Sequence, residues 1–172
     1  NNKEDALIEI TFGRTILQFL EPTIICITGA NFSPKKNTQP IPQNTLVTIE
    51  KLDVLSFEKR RFGYRTYLAV KGGIQSEVVM KSRSFYKNIT TQEKLHKNDE
   101  IAFKPFNEKF SAQTTTIKPN SVFFQEEKIE CYKGPEFEML TVNEKEQLFT
   151  KIFSVSNKNN RMGYQLEEKI EN

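Results

Sequence analysis

Arg65-Thr66-Tyr67-Leu68-Ala69-Val70-Lys71-Gly72-Gly73-Ile74 is the stretch whose reading decides the fold. Leu68, Ala69 and Val70 form an apolar run, and Tyr67 adds an aromatic side chain of high strand propensity. The segment predicts a buried β-strand that stops at Gly72-Gly73. Two adjacent glycines permit φ > 0 and close approach, by another backbone or by a ligand. After a short irregular segment comes Met80-Lys81-Ser82-Arg83-Ser84-Phe85-Tyr86. Ser82, Arg83 and Ser84 supply two hydroxyls and a planar cation, a set able to hold a carboxylate or phosphate by paired hydrogen bonds. These residues alone leave two readings open. One is a tight turn at a barrel corner followed by a solvated loop; the other is one wall of an anion-binding cleft.

On the N-terminal side, Leu7-Ile8-Glu9-Ile10-Thr11-Phe12 alternates and places Ile8, Ile10 and Phe12 on one face of a half-buried strand. Gly13-Arg14 reads as a turn, with Thr15 to Phe19 pairing back as a hairpin. Thr23 to Thr28 is apolar on both faces and belongs in a sheet interior. Gly29 to Gln43 holds Pro34, Pro40 and Pro42 and predicts a loop or short hairpin. Leu46 to Ile49 and Val54 to Phe57 are strands joined through Lys51-Leu52-Asp53. That join has an echo: Lys51 to Phe57 and Lys97 to Phe103 share the pattern Lys-x-Asp-x-aliphatic-small-Phe. The pattern predicts one turn chemistry used twice, an Asp bonding its own backbone before a strand. Lys59-Arg60-Arg61 reads as a solvated hairpin end.

Thr114 to Asn120 is polar, contains Pro119 and is the best linker candidate. It divides the chain into 1–120 and 121–172. Beyond it, Val122-Phe123-Phe124, Ile129 to Tyr132, Phe153-Ser154-Val155 and Met162 to Leu166 are expected strands. Thr141 to Phe149 is the one clear helix, capped by Thr141 or Asn143, with Glu144 and Glu146 near its positive end. Many short strands, little helix and frequent turns argue for a mainly β barrel or sandwich.

Composition narrows the function classes. Lys and Arg number 25 against 22 Asp and Glu, so the net charge of +3 does not point to nucleic acid. No apolar run approaches the ~18 residues of a membrane span. Cys26 and Cys131 make no disulfide scaffold, Cys26 reads as a buried small hydrophobe, and both fit a cytoplasmic setting. His96 is the single histidine, and no metal-ligand spacing surrounds it. No GxxxxGK[ST] loop is present, so nothing local predicts ATP binding. No catalytic residue is assigned.

Three stretches carry a family resemblance. Tyr67 to Ile74 with Lys81 to Tyr86 resembles a YLAVAGGI-like strand followed by a GSRS-like turn. Ile25 to Pro34 resembles an ITGADFSP segment, and Asn160 to Glu167 resembles DRMGYRLEG. These motifs, in this order, are similar to the biotin-dependent carboxyltransferase family, which includes allophanate hydrolase subunit 2, a 5-oxoprolinase component and the Kip antagonist. The chain departs from the pattern at Lys71, where the family has a small residue, and at Lys81, where it has glycine. The resemblance implies a cyclophilin-like β-barrel with the start of a second similar barrel, cut short at both ends. It implies a subunit of an ATP-dependent amidohydrolase or carboxyltransferase system, with 5-oxoproline cleavage as the first expectation. Carboxyl transfer from carboxybiotin to urea, an allophanate-related role, and a regulatory module that antagonises a kinase inhibitor are the alternatives. ATP would be handled through the complex, and biotin would be carried by a partner. Expected partners are a second cyclophilin-like subunit of the Kip-inhibitor type and a LamB/YcsF-type subunit. The expected substrate-binding residues are Gly72, Gly73, Ser82, Arg83, Ser84, Arg161 and Tyr164.

Overall fold

The computed structural model describes residues 5–11, 14–104, 128–159 and 163–170. Its strands are β1 (Ile8–Thr11), β2 (Ile16–Gln18), β3 (Thr23–Asn31), β4 (Lys35–Lys36), β5 (Gln39–Pro40), β6 (Leu46–Ile49), β7 (Val54–Ser56) and β8 (Phe62–Val70). They form two antiparallel four-stranded sheets, ordered β1-β8-β3-β6 and β2-β7-β4-β5. The mainly β expectation holds.

The strand read from the sequence, β8, sits inside the first sheet. Thr66, Leu68 and Val70 point into the core, and Arg65, Tyr67 and Ala69 lie half-buried on the other face. Leu68 stands between Ile8 of β1 and Ile27 of β3. Ile10, Ile25, Ile27, Phe32, Ile49, Leu55, Phe57 and Leu68 make one cluster with Val70 and Ile74. The buried Thr66 hydroxyl donates to the Thr28 carbonyl at 2.9 Å, so no polar group is stranded there. Gly29 has φ +90, and a Cβ on it would lie 2.6 Å from the Arg65 carbonyl. Only glycine lets β3 and β8 run this close beside the irregular register between Gly29 and Asn31.

Pairing differs from expectation in one respect. Thr15 to Phe19 does not return on β1; β2 pairs with β7 in the other sheet, Leu17 opposite Leu55. β1 instead lines up four residues along β8. Alternation fixes which face of a strand is buried, not which strand lies beside it, and a long partner with a core face outcompetes a two-residue turn. For the same reason Lys59-Arg60-Arg61 is a crossing between sheets and not a hairpin end, because β7 and β8 do not pair. The proline-rich segment does form a short hairpin, β4 with β5.

The repeated turn is real. Asp53 accepts from the Glu50 N–H at 2.8 Å, and Asp99 accepts from the His96 N–H at 2.8 Å. The residue before each Asp is left-handed, Leu52 at φ 70 and Asn98 at φ 69. Asp53 is buried and further engaged. The Glu50 N–H, the Asn37 amide and the Lys36 ammonium, 3.0 Å away, hold its carboxyl at about 2, below the usual carboxylate range. A carboxyl depressed in the folded state contributes stability that is present above its unfolded pKa of about 3.9 and is lost as pH falls towards the folded value. Denaturant midpoints of the chain are therefore expected to drop between about pH 4 and pH 2, with a shallower drop in Asp53→Asn. Equal slopes in the two proteins would show that Asp53 has no part in the acid transition.

The chain divides into two compact units, Asn1–Gln125 and Glu126–Asn172. In the second, Pro135–Met139 is a 3-10 helix and Val142–Thr150 is helix α1. Thr141 caps α1: its hydroxyl accepts from the Glu144 N–H at 3.3 Å, and the Glu144 carboxylate accepts from the Thr141 N–H at 2.6 Å. Phe137 and Phe149 meet edge to face, centroids 6.1 Å apart. The strand expected over Ile129 to Tyr132 is absent; Ile129 and Tyr132 are exposed, and no described strand pairs with them. A strand exists only with a partner, and propensity alone does not supply one. The two expected strands after α1 meet through a single bridge, Val155 with Leu166. Phe12, Gly13, the linker at 114–120, Val122 to Phe124 and Met162 lie outside the described residues. Among those described, no helix is long and apolar enough to cross a membrane.

Candidate functional site

Where β8 ends, the backbone turns on Gly72 (φ +84) and Gly73 (φ +76). The close approach that this pair permits is made by the chain itself. A Cβ on Gly72 would lie 2.5 Å from the Lys104 carbonyl, and one on Gly73 would lie 2.8 Å from Asp5 Cγ. The Gly73 N–H donates to Val70 O at 2.9 Å, and Lys104 N–H donates to Gly73 O at 3.3 Å. The turn thus offers fewer free donors than two exposed glycines would; Gly72 N–H is the one that finds no backbone acceptor among the described residues. Ile74 is then bridged to both Ala6 and Phe103, which fixes the exit direction.

The chain leaves through Gln75 and Ser76 and comes back at Arg83. Val79 and Ser82 exchange two 2.9 Å backbone bonds across Met80 (φ 50) and Lys81 (φ 64). Two consecutive left-handed residues match the tight hairpin turn that favours Asn and Gly, so Lys81 occupies a position where glycine is the easier residue. The return places Arg83 beside the glycine turn. Its Nη1 donates to Ser76 O, its Nη2 donates to Gln75 Oε1 at 3.5 Å, and the Ser76 hydroxyl donates to Arg83 O at 2.8 Å. Gln75 Nε2 in turn donates to Gly73 O at 3.1 Å. Arg83 is half-buried and forms no ion pair among the described residues. A guanidinium with five donors, two of them engaged by neutral oxygens, keeps both its charge and an open edge for an anion. Ser82 and Ser84 flank it and are exposed, with the Ser82 hydroxyl accepting the Ser84 N–H at 3.1 Å.

Five of the seven expected residues, Gly72, Gly73, Ser82, Arg83 and Ser84, therefore belong to one connected segment. Tyr164 lies in the second unit with its side chain exposed, and Arg161 is outside the described residues. Gln75 and Ser76 escaped the sequence reading. Nothing in their residue types marked them: Gln75 is exposed and Ser76 half-buried, and both reach Arg83 only once the hairpin has closed.

A shallow depression of about 510 Å³ lies elsewhere, lined by Arg14, Ile16, Ser56, Phe57, Glu58 and Lys59. Glu58 is paired with Lys35 at 2.8 Å, and no group of convergent reactive side chains faces the space. It is the weaker candidate. Cys26 is half-buried in β3, and burial pushes its thiol up, away from the reactive thiolate. His96 is exposed, its Nδ1 3.8 Å from Asp99. No three His, Cys, Asp or Glu side chains converge among the described residues.

Comparison with known proteins agrees with this architecture. A urea amidolyase of Lachancea kluyveri is 34% identical over 86 residues, 50% of this chain and 5% of that protein. The crystal structure of TTHA0988 superposes with a TM-score of 0.75 at 20% identity, over 96% of this chain and 60% of that one. K. lactis urea amidolyase superposes with a TM-score of 0.72 at 23% identity, over 98% of this chain and 11% of that one. At these identities the two structures establish the shared fold. This chain spans only a small part of the length of the urea amidolyases. The model of the carboxyltransferase domain, subdomains A and B, matches residues 1–172. The chain belongs to the carboxyltransferase domain family.

Proposed function

We propose that the chain contributes an anion-holding wall to a carboxyltransferase-type enzyme acting on urea- or allophanate-like amides. The observation that carries the reading is Arg83, a half-buried cation with no acidic partner among the described residues, held beside the Gly72-Gly73 turn. Such a group receives a carboxylate or a carboxylated ureido nitrogen through charge-assisted hydrogen bonds. Membership of the carboxyltransferase family and the likeness to a urea amidolyase support that choice of chemistry. The donor set suits the carboxyl group that a biotin carrier on a partner subunit would bring. It does not suit a triphosphate, because the described turn presents one free backbone N–H and no phosphate cradle. ATP hydrolysis is accordingly assigned to another part of the assembly, and docking to a second cyclophilin-like subunit belongs to the same proposal.

The test is turnover by the full-length protein with its partner subunits, supplied in parallel with ATP and urea, allophanate or 5-oxoproline. Urea or allophanate is expected to be the productive substrate. Arg83→Ala and Arg83→Lys are both expected to lower kcat/KM about 10- to 100-fold, the size of one or two lost charge-assisted bonds. Lysine keeps the charge but not the planar fork. Unchanged turnover in both variants would return Ser82-Arg83-Ser84 to a solvated loop, and turnover of 5-oxoproline alone would replace the substrate class.

A further inference from the structure

We propose that Gln75 is a positioning residue that holds the Arg83 guanidinium over the glycine turn. The inference rests on the anion-holding reading of Arg83 and assigns a residue that this reading does not contain.

A primary amide has a donor end and an acceptor end, and here the surroundings determine which points where. The Gln75 backbone is fixed first, by its N–H donating to Ala102 O at 2.8 Å. Its side-chain Nε2 then faces two carbonyl oxygens, Gly73 O at 3.1 Å and Gly72 O at 3.5 Å. Carbonyls accept and do not donate, so the NH₂ end must lie on the turn. The Oε1 end is thereby presented to Arg83 Nη2 at 3.5 Å. Ser76 closes the arrangement from below: its carbonyl accepts from Nη1, and its hydroxyl returns a bond to the Arg83 carbonyl at 2.8 Å. One edge of the guanidinium is therefore held by residues 75 and 76. The neighbouring edge, Nε–H with the second N–H of Nη2, has the fork geometry that a carboxylate accepts.

The chemistry also says why this residue is an amide. A glutamate at 75 would set a carboxylate against the Gly72 and Gly73 carbonyls, and it would neutralise Arg83, so that an incoming anion meets a closed ion pair. An apolar side chain of the same length would keep the packing and leave the guanidinium held by the Ser76 carbonyl alone, with less restraint on its rotation. Gln75→Glu and Gln75→Met thus remove the function in different ways while changing the volume little. Gln75 is exposed, so neither variant opens a core cavity.

The experiment uses the whole chain with malonamate, a stable carboxylate-bearing analogue of allophanate, and follows binding by calorimetry. In parallel, NMR follows rotation of the Arg83 guanidinium about its Nε–Cζ bond without any ligand. Both variants are expected to bind malonamate about tenfold or more weakly, as for loss of one charge-assisted contact, at an unchanged unfolding midpoint. Gln75→Met is expected to speed guanidinium rotation, whereas Gln75→Glu is expected to slow it by forming an ion pair. If Arg83→Ala abolishes malonamate binding while both Gln75 variants bind as the unchanged chain does, the positioning role is overturned and the anion site stands. If the unchanged chain does not bind malonamate, or Arg83→Ala binds it equally well, the anion site itself is overturned. Guanidinium rotation unaffected by Gln75→Met would overturn the positioning role whatever the ligand does.

Discussion

Leu68→Ala is expected to destabilise the first unit by about 2–5 kcal/mol. Leu68 is fully buried in the C-terminal half of β8, with Ile8 on one side and Ile27 on the other. Its side chain lies on the core face, in the same cluster as Ile10, Ile25, Leu55 and Phe57. Truncation removes the transfer free energy of the lost carbons, and neighbours in paired strands cannot close the gap without breaking their ladders, so a cavity remains. Ile16 is the matched comparison: it sits on a strand but is 69% exposed, and Ile16→Ala is expected to change stability by no more than about 0.5 kcal/mol. Urea denaturation of the two variants measures the difference. Equal midpoints would mean that β8 is not the middle of the core.

That contrast also shows what was legible beforehand. Burial of β8 and β3 follows from runs such as Leu68-Ala69-Val70 and Ile24-Ile25-Cys26-Ile27, because side-chain character determines which surface leaves water. Helix α1 was legible for a local reason too, since its capping box joins Thr141 to Glu144 within one turn. Partner choice was not legible. β2 chose β7 over β1, and Ile129 to Tyr132 has the composition of a strand without a strand beside it. Those outcomes depend on residues distant in sequence, which no window of ten positions contains. The site divides in the same way. Glycines and a serine-flanked arginine announce themselves by residue type. The bond from Gln75 to Gly73, the Lys104 carbonyl against Gly72 and the Asp5 side chain against Gly73 emerge only when the chain has closed. Lys81 even runs against its own type, taking φ 64 where a glycine would be at ease.

Gly72→Ala is the second large effect, and it couples stability to the site. Gly72 sits at φ +84, a conformation that costs a residue with a Cβ about 1–2 kcal/mol. The new methyl would also lie 2.5 Å from the Lys104 carbonyl oxygen and 3.1 Å from Lys104 Cβ. The nearer atom is backbone, so no rotamer change relieves it; the segment carrying Ala102, Phe103 and Lys104 has to move. An overpacked contact of this kind adds about 1–3 kcal/mol, giving a total of about 2–5 kcal/mol. Gly73→Ala meets Asp5 instead, Cγ at 2.8 Å and Cβ at 2.9 Å; the Cβ moves only with the Asp5 backbone, so this variant is expected to be destabilised as well, through the segment before β1 and not through Lys104. The segment that must shift in Gly72→Ala is the one to which Gln75 N–H and Ile74 are fastened, by Ala102 O at 2.8 Å and by the bridge to Phe103. Gly72→Ala is therefore expected to weaken malonamate binding about tenfold or more even under conditions where the protein remains folded, because the support of Arg83 moves with the turn. Thermal unfolding and calorimetric titration of the two glycine variants decide it. A Gly72→Ala protein as stable as the unchanged chain would refute the backbone contact with Lys104, and one that is destabilised yet binds malonamate normally would detach Arg83 from the glycine turn.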